Sequence, residues 1–248
     1  YFNVSFPWSS ASEALDAWQS WAPHTRDQIT SIFHLNAGGG FNSVNANGQY
    51  LGPASDLGSL LGPLRSVPGA SVSTFEESYL SLQMLLAGCA HISLPACHTA
   101  GTAPGGTLQR MSFRAKSDYV THALPGAGRQ KLISAIEARA GQPGSGAILF
   151  DAYGGAINRV PANATAFVHR NHLFCIQYLS YNGTLTWLEQ TRSSMHPYTS
   201  GQCYQNYIDR DLPHWQQAYY GSNYPRLKSI RQTIDPHHFF TFPQAIGR

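Results

Sequence analysis

Apolar and polar residues along this chain fall into short runs of two periods. Phe2, Val4 and Phe6 alternate with polar neighbours, the signature of a half-buried strand. Ser10 and Glu13 form a capping-box pattern ahead of Leu15, Trp18 and Trp21, which recur at helical spacing. Ile29 to Leu35 reads as a strand, broken by Gly38-Gly39-Gly40. A short helix is expected from Asp56 to Leu64 and a strand from Val72 to Phe75. His98 to Met111 is rich in Gly, Thr and Ala and reads as a loop, the nearest thing to a boundary. The same style then repeats: strand Phe113–Val120, helix Arg129–Ala140 with Leu132, Ile133 and Ile136 inward, and strand Ala147–Asp151. A strand at Leu173–Ser180, a helix at Leu185–Met195 and a strand at Cys203–Ile208 follow. The end is helical from His214 to about Thr233, interrupted near Gly221. No parallel βαβ rhythm is present, so the pattern predicts an α+β fold, a sheet with helices on one face.

Composition narrows this picture. The chain has 248 residues, 42% of them hydrophobic and 12% charged, which indicates a globular protein. A net charge of +3 without a basic run gives no reason to expect nucleic acid or membrane as a partner. No apolar stretch approaches the ~20 residues of a membrane span. Tyr1–Phe6 reads as a folded strand rather than a leader, which suggests processing or a start inside a longer protein. Eleven histidines invite a metal reading, but none sits at a recognised ligand spacing, and no metal is expected. The Gly38–Gly40 run precedes no helix signal and is no phosphate cradle. GxSxG, GxxxxGK[ST], HExxH and paired CxxC motifs are absent. Cys89 and Cys97 flank a short loop containing Pro95, and a disulfide is expected there, with two free buried thiols as the alternative. Three sequons begin at Asn3, Asn163 and Asn182 and lend weak support to a secreted protein.

Three segments are more specific. The first is Phe150-Asp151-Ala152-Tyr153-Gly154-Gly155-Ala156-Ile157. The second is Ala166-Phe167-Val168-His169-Arg170-Asn171 with the strand that follows. The third runs through Tyr204-Gln205-Asn206-Tyr207-Ile208-Asp209 and Tyr219-Tyr220-Gly221-Ser222-Asn223-Tyr224-Pro225-Arg226-Leu227 to Asp235-Pro236-His237-His238-Phe239 and Gln244. This ordered series resembles the C-terminal half of the berberine-bridge-enzyme-like oxidases of the vanillyl-alcohol-oxidase superfamily. In site pattern it is most similar to the oligosaccharide oxidases among them.

The resemblance implies a broad antiparallel sheet in a substrate-binding domain over residues 1–200. It implies a C-terminal helical segment, 201–248, that returns to complete an FAD domain. It also implies FAD as cofactor, and a second chain or fragment carrying the N-terminal FAD-binding domain, so that the working unit is a heterodimer of the two parts. The cysteines and histidines here are then not flavin anchors.

In the family, the tyrosine of the NYxD element commonly acts as catalytic base, which falls on Tyr207. A free tyrosine has a pKa of about 10, so it needs a group that takes its proton. Asp151 stands where the oligosaccharide oxidases carry an acidic partner. The implied unit is an Asp151–Tyr207 dyad that deprotonates a sugar anomeric hydroxyl while hydride passes to flavin. Without the family register, Tyr207 would be a packed aromatic and Asp151 a turn-former ahead of Gly154-Gly155. Gln177 falls where sugar-oxidising relatives place a substrate-binding amide, and a solvent-facing glutamine is equally consistent. Tyr204 and Asn206 are implied flavin contacts on a strand shared with Tyr207. Tyr153 either stacks on a sugar or packs in the core. Asn223, Arg226 and Asp235 are expected to hold the C-terminal helix and its turn together.

The leading expectation is an FAD-dependent oxidase that converts a carbohydrate hydroxyl to a lactone, with O₂ as acceptor. Oxidation of a secondary-metabolite alcohol, or ring closure on a natural product, is the alternative within the family. A flavin-free binding subunit is the alternative outside it.

Overall fold

A computed structural model describes residues 1–101, 105–181 and 185–247. The sequon at Asn182 lies outside the described residues. In chain order the structure runs β1 (Phe2–Phe6), α1 (Ala11–Trp21), β2 (Ile29–Gly38), β3 (Phe41–Tyr50), α2 (Ala54–Leu60), α3 (Gly62–Arg65) and β4 (Ser71–Thr74). It continues with α4 (Tyr79–Leu86), β5 (Phe113–Val120), α5 (Gly126–Ala140), β6 (Ser145–Ala152), α6 (Gly155–Arg159) and β7 (Phe174–Tyr181). The last elements are α7 (Leu185–Met195), α8 (Trp215–Tyr220) and α9 (Tyr224–Ile234).

The seven strands of the described residues join one antiparallel sheet in the order β4-β1-β3-β2-β6-β7-β5. The fold is α+β, as the pattern predicted. The segment between α4 and β5, whose residues 102–104 lie outside the described residues, does not divide the sheet: β4 and β5 are its opposite edges, and the two halves meet where β2 pairs with β6.

Helices α1, α5 and α7 cover one face of the sheet. Trp18 of α1 is fully buried against Phe33, Phe150 and Phe174, with ring centroids 5.7–6.1 Å apart. Its indole N–H donates to Ser31 Oγ at 2.9 Å, so the polar atom it buries is satisfied. Leu132, Ile133 and Ile136 of α5 point inward as their spacing required.

Several local expectations are corrected. Ser10 does not cap α1 through its side chain; its hydroxyl donates instead to Pro68 O at 3.0 Å. A 3-10 turn at Trp8–Ser10 already leads into the helix. The triple glycine is not a terminator. Gly39 and Gly40 take φ of 60° and 82°, the left-handed pair that a two-residue hairpin needs, and return the chain into β3. Strand β3 escapes a hydrophobic reading because Val44 and Ala46 are its only buried apolar residues, with Tyr50 half-buried against the core at its end.

The expected strand at 203–208 is a run of turns. Cys203 N donates to Ala218 O, Tyr204 N to Ser117 Oγ, and Tyr207 N to Tyr204 O. With its amides satisfied by a helix carbonyl, a side chain and its own turn, the segment has no need of a sheet partner. Cys203, Leu212, Ala218 and Tyr219 form a small second core beneath it.

Candidate functional site

Antiparallel register places the residues of the helix-free face in rungs across the sheet. Ile32, Asp151, Cys175 and Tyr119 occupy one rung. His34, Leu149, Gln177 and Ser117 occupy the next. The segment after α7 runs along the edge of β5, where Tyr119 N donates to Gln202 O and Ser200 N to Tyr119 O. It then crosses onto this face and brings Tyr207 over Asp151.

The Tyr207 hydroxyl donates to Asp151 Oδ2 at 3.0 Å, joining residues 56 positions apart. Burial holds the Asp151 carboxyl above the ordinary carboxylate range, partly offset by this hydrogen bond. Burial also raises the Tyr207 phenol, and the neighbouring carboxylate raises it further. A carboxyl of raised pKa is a better proton acceptor. A phenol that hands its proton to this carboxylate can take another without ever standing as a free phenolate.

An aromatic wall closes the site beyond Ala152. Tyr153 donates to or accepts from Tyr119 through their hydroxyls at 2.9 Å, and its ring stacks on Phe167 at 6.0 Å. Tyr119 stacks on His169 at 4.1 Å, and His169 Nδ1 lies 2.8 Å from Gln202 Oε1. Burial lowers the pKa of His172 to about 4, so this ring is neutral at physiological pH. Tyr204 meets Tyr207 edge to face at 5.0 Å.

The structure therefore brings Asp151, Tyr207 and Tyr204 together and sets Gln177 one rung away on the same face. Gln177 is largely covered rather than solvent-facing, at 9% exposure. Asn206 is exposed and donates to the Tyr204 hydroxyl at 2.9 Å, but it does not share a strand with Tyr207. Tyr153 belongs to the aromatic wall. Reading the residues one by one missed Tyr119, His169 and His172. The parity of β5 against β7 would have put Tyr119 on the face of Asp151.

Glycine is required just past the site. Gly154 has φ of 98°, and a Cβ there would strike the backbone carbonyl of Pro23. Away from the dyad, Asn223 donates to Ala162 O and Thr165 O, and Arg226 donates to Asn163 O. Asp235 accepts from Phe239 N and Phe240 N and holds the turn after α9 as expected, whereas Asn223 and Arg226 tie the start of α9 to the 162–165 loop. Cys89 and Cys97 are disulfide-bonded, while Cys175 and Cys203 are free and buried. Among the described residues no helix is long and apolar enough to cross a membrane.

The family model for berberine and berberine-like proteins matches residues 203–247, the segment that carries Tyr207 and the C-terminal helices. Wild-type Physcomitrella patens BBE-like 1 superposes on 99% of the chain with a TM-score of 0.83 at 27% identity. The chain belongs to the berberine-bridge-enzyme-like family. Among curated relatives, the FAD-linked oxidoreductase YgaK of Bacillus subtilis, itself called uncharacterized, is 28% identical over 99% of the chain. Monolignol oxidoreductase AtBBE-like 13 of Arabidopsis thaliana is 30% identical over 82% of it. The chain spans 52% of the Bacillus protein, 41% of the Arabidopsis protein and 53% of the Physcomitrella structure, about half of each. The family cofactor is FAD, as these FAD-linked names state.

Proposed function

We propose that this chain supplies the substrate face and the proton-accepting pair of an FAD-dependent oxidase acting on a carbohydrate anomeric hydroxyl. The observation that carries the reading is the 3.0 Å hydrogen bond from Tyr207 to Asp151 on the helix-free face of the sheet. Tyr207 takes the hydroxyl proton of the substrate and passes its own to Asp151 as the carbon loses hydride, leaving a lactone. FAD, when bound, would supply the hydride acceptor, with O₂ as the terminal oxidant. Gln177, one rung from Asp151, orients a neighbouring sugar hydroxyl.

The residues present suit a flavin. Tyr204 and Asn206 put hydrogen-bonding groups beside the phenol. The buried amide oxygen of Gln205 accepts no hydrogen bond among the described residues, and it is an acceptor of the kind a flavin imide N–H requires. Ile234, Phe239 and Phe240 are 78%, 82% and 69% exposed, which supports a covering FAD-bearing portion, in a second chain or fragment. The small core around Cys203 and Tyr219 supports treating 201–248 as a segment distinct from 1–200. The disulfide and the sequons at Asn3 and Asn163 support secretion.

A second reading is oxidation of an aromatic alcohol. It is favoured by the wall of Tyr119, Tyr153, Phe167 and Tyr204 and by the name of the Arabidopsis relative. Anaerobic reduction of the flavin-loaded protein by a panel of reducing sugars and monolignols separates the two. Reduction by sugars that slows in Tyr207→Phe supports the first reading, and reduction by monolignols alone replaces it with the second.

A further inference from the structure

The turn after α6 carries the sequon Asn163-Ala164-Thr165, and residues 161–166 are all exposed. The turn holds no large apolar side chain, in contrast to the C-terminal surface around Phe239 and Phe240. It is fixed from within. Ala164 N donates to Pro161 O at 3.0 Å, and the backbone oxygens of Ala162, Asn163 and Thr165 accept from Asn223 and Arg226. Only the backbone of Asn163 is used in this way. Its side-chain amide makes no hydrogen bond among the described residues and stands free on a fixed turn.

The sequon at Asn3 has the opposite setting. Asn3 lies inside β1, with β3 on one side and β4 on the other. Its Nδ2 donates to Ser5 Oγ at 3.0 Å, and its Oδ1 accepts from Asn45 Nδ2 at 2.9 Å. Pairing runs from Asp151 through Ile32 and Asn47 to Asn3, so Asn3 shares the rung of the dyad on the helix-free face. Three strand spacings put it roughly 14 Å from Asp151. A glycan there would compete with the bond to Ser5 and would rise from the substrate face.

We propose that Asn163 carries an N-linked glycan, that Asn3 stays bare, and that the 161–165 turn faces solvent in the assembled protein. The inference rests on the secreted reading above and adds the modified residue and a surface that the FAD-bearing portion leaves uncovered. In the modification, Asn163 Nδ2 bonds to the anomeric carbon of an oligosaccharide carried on a lipid diphosphate. The bond from that carbon to the diphosphate oxygen breaks, the lipid diphosphate leaves with the electron pair, and the amide gives up one proton.

The test is peptide mapping of the full chain, secreted with its FAD-bearing portion from a eukaryotic host. Enzymatic removal of N-glycans in ¹⁸O water turns each occupied asparagine into a labelled aspartate. Trypsin separates the three sequons: Asn3 lies before Arg26, Asn163 between Arg159 and Arg170, and Asn182 after Arg170. The label is expected on the Asn163 peptide and absent from the Asn3 peptide. Asn163→Gln keeps the backbone oxygen that Arg226 uses, so it should lose one glycan in mass and reduce its flavin at the wild-type rate. Thr165→Ser keeps the sequon and should keep the glycan. An unlabelled Asn163, a labelled Asn3, or slowed flavin reduction in Asn163→Gln overturns the proposal. The same digest reports Cys89 and Cys97. A bare Asn163 with the disulfide intact overturns the glycan while the secreted reading stands, and a bare Asn163 with both thiols free overturns both.

Discussion

The ammonium of Lys116 lies 2.9 Å from the carboxylate of Asp209, and only 8% of either side chain is exposed. This buried pair ties strand β5 to the segment two residues past Tyr207. Asp209 is an anchor in other respects. Its amide donates to the Tyr219 hydroxyl, its carbonyl accepts from Gln244 Nε2, and its second carboxylate oxygen accepts from Asp211 N. The hydroxyl of Tyr207 is thus held over the sheet by a charge pair on the edge strand.

Removing one member leaves the other charge buried alone. Asp209→Ala is expected to destabilise the fold by roughly 3–5 kcal/mol. Replacing both, as Lys116→Met with Asp209→Leu, is expected to cost much less, because no uncompensated charge remains. Urea unfolding of the two variants decides this. A loss below about 1 kcal/mol in the single variant would mean that the pair is not the anchor.

The dyad predicts a particular pH profile for flavin reduction. Asp151 must be ionised to accept the phenol proton, so the rate falls with acid as pH drops through its raised pKa, at higher pH than an ordinary aspartate would impose. Tyr207→Phe is expected to slow reduction about 10²-fold or more. In Asp151→Asn the limb set by the carboxyl is replaced by one at higher pH. The controlling ionisation moves up to the phenol, which burial holds above its ordinary value. The double variant should be no slower than the worse single one, since the residues act as a unit. A Tyr207→Phe protein that reduces at the wild-type rate across pH places the base elsewhere.

Asp118 gives a separate pH dependence, in stability. Burial raises its pKa from 3.8 to about 6, against the pull of Arg192. The raised value means that the folded state favours the protonated form. Its contribution is fully present below 3.8 and is lost as pH rises through about 6, a difference of about 3 kcal/mol. Asp118→Asn cannot ionise. Its stability relative to wild type should therefore rise across this interval when both are unfolded in urea, and a constant difference over the same range would show that Asp118 titrates normally.

The disulfide closes a loop of 8 residues' separation beside α4. Cys89→Ser is expected to cost about 2–3 kcal/mol through the freed loop. Peptide mapping without reductant should find Cys89 and Cys97 in one linked species. Cys175 and Cys203 should react with alkylating agents only after unfolding, because both are buried. Alkylation of Cys89 and Cys97 in the unreduced native protein removes the bond from the account.

The strands and helices that could be read from the chain were those whose own residues carry a strong period. Phe113–Val120 and Leu185–Met195 agree to the residue. Strand β3 was missed because its helix-free side is lined with Asn and Ser and its core side is made mostly of small residues. The segment 203–208 was misread because alternation of Tyr and Asn imitates a strand. Turns and side-chain acceptors had taken its amides.

Of the candidate site, the sequence alone determined the cast: an aspartate ending a strand before two glycines, a tyrosine in an NYxD element, and two cysteines about a proline. Local order and family motif are properties of neighbours in the chain, so they survive in one dimension. Tertiary structure decided everything that depends on residues far apart. Register across β2, β6, β7 and β5 put Ile32, Asp151, Cys175 and Tyr119 on one rung, and a slip of one residue would have turned Asp151 into the helix layer. The Lys116–Asp209 pair and the small second core then carried Tyr207 across 56 residues of sequence to within 3.0 Å of that aspartate. No local pattern encodes such a meeting, because it follows from how the whole sheet buries one face and leaves the other polar.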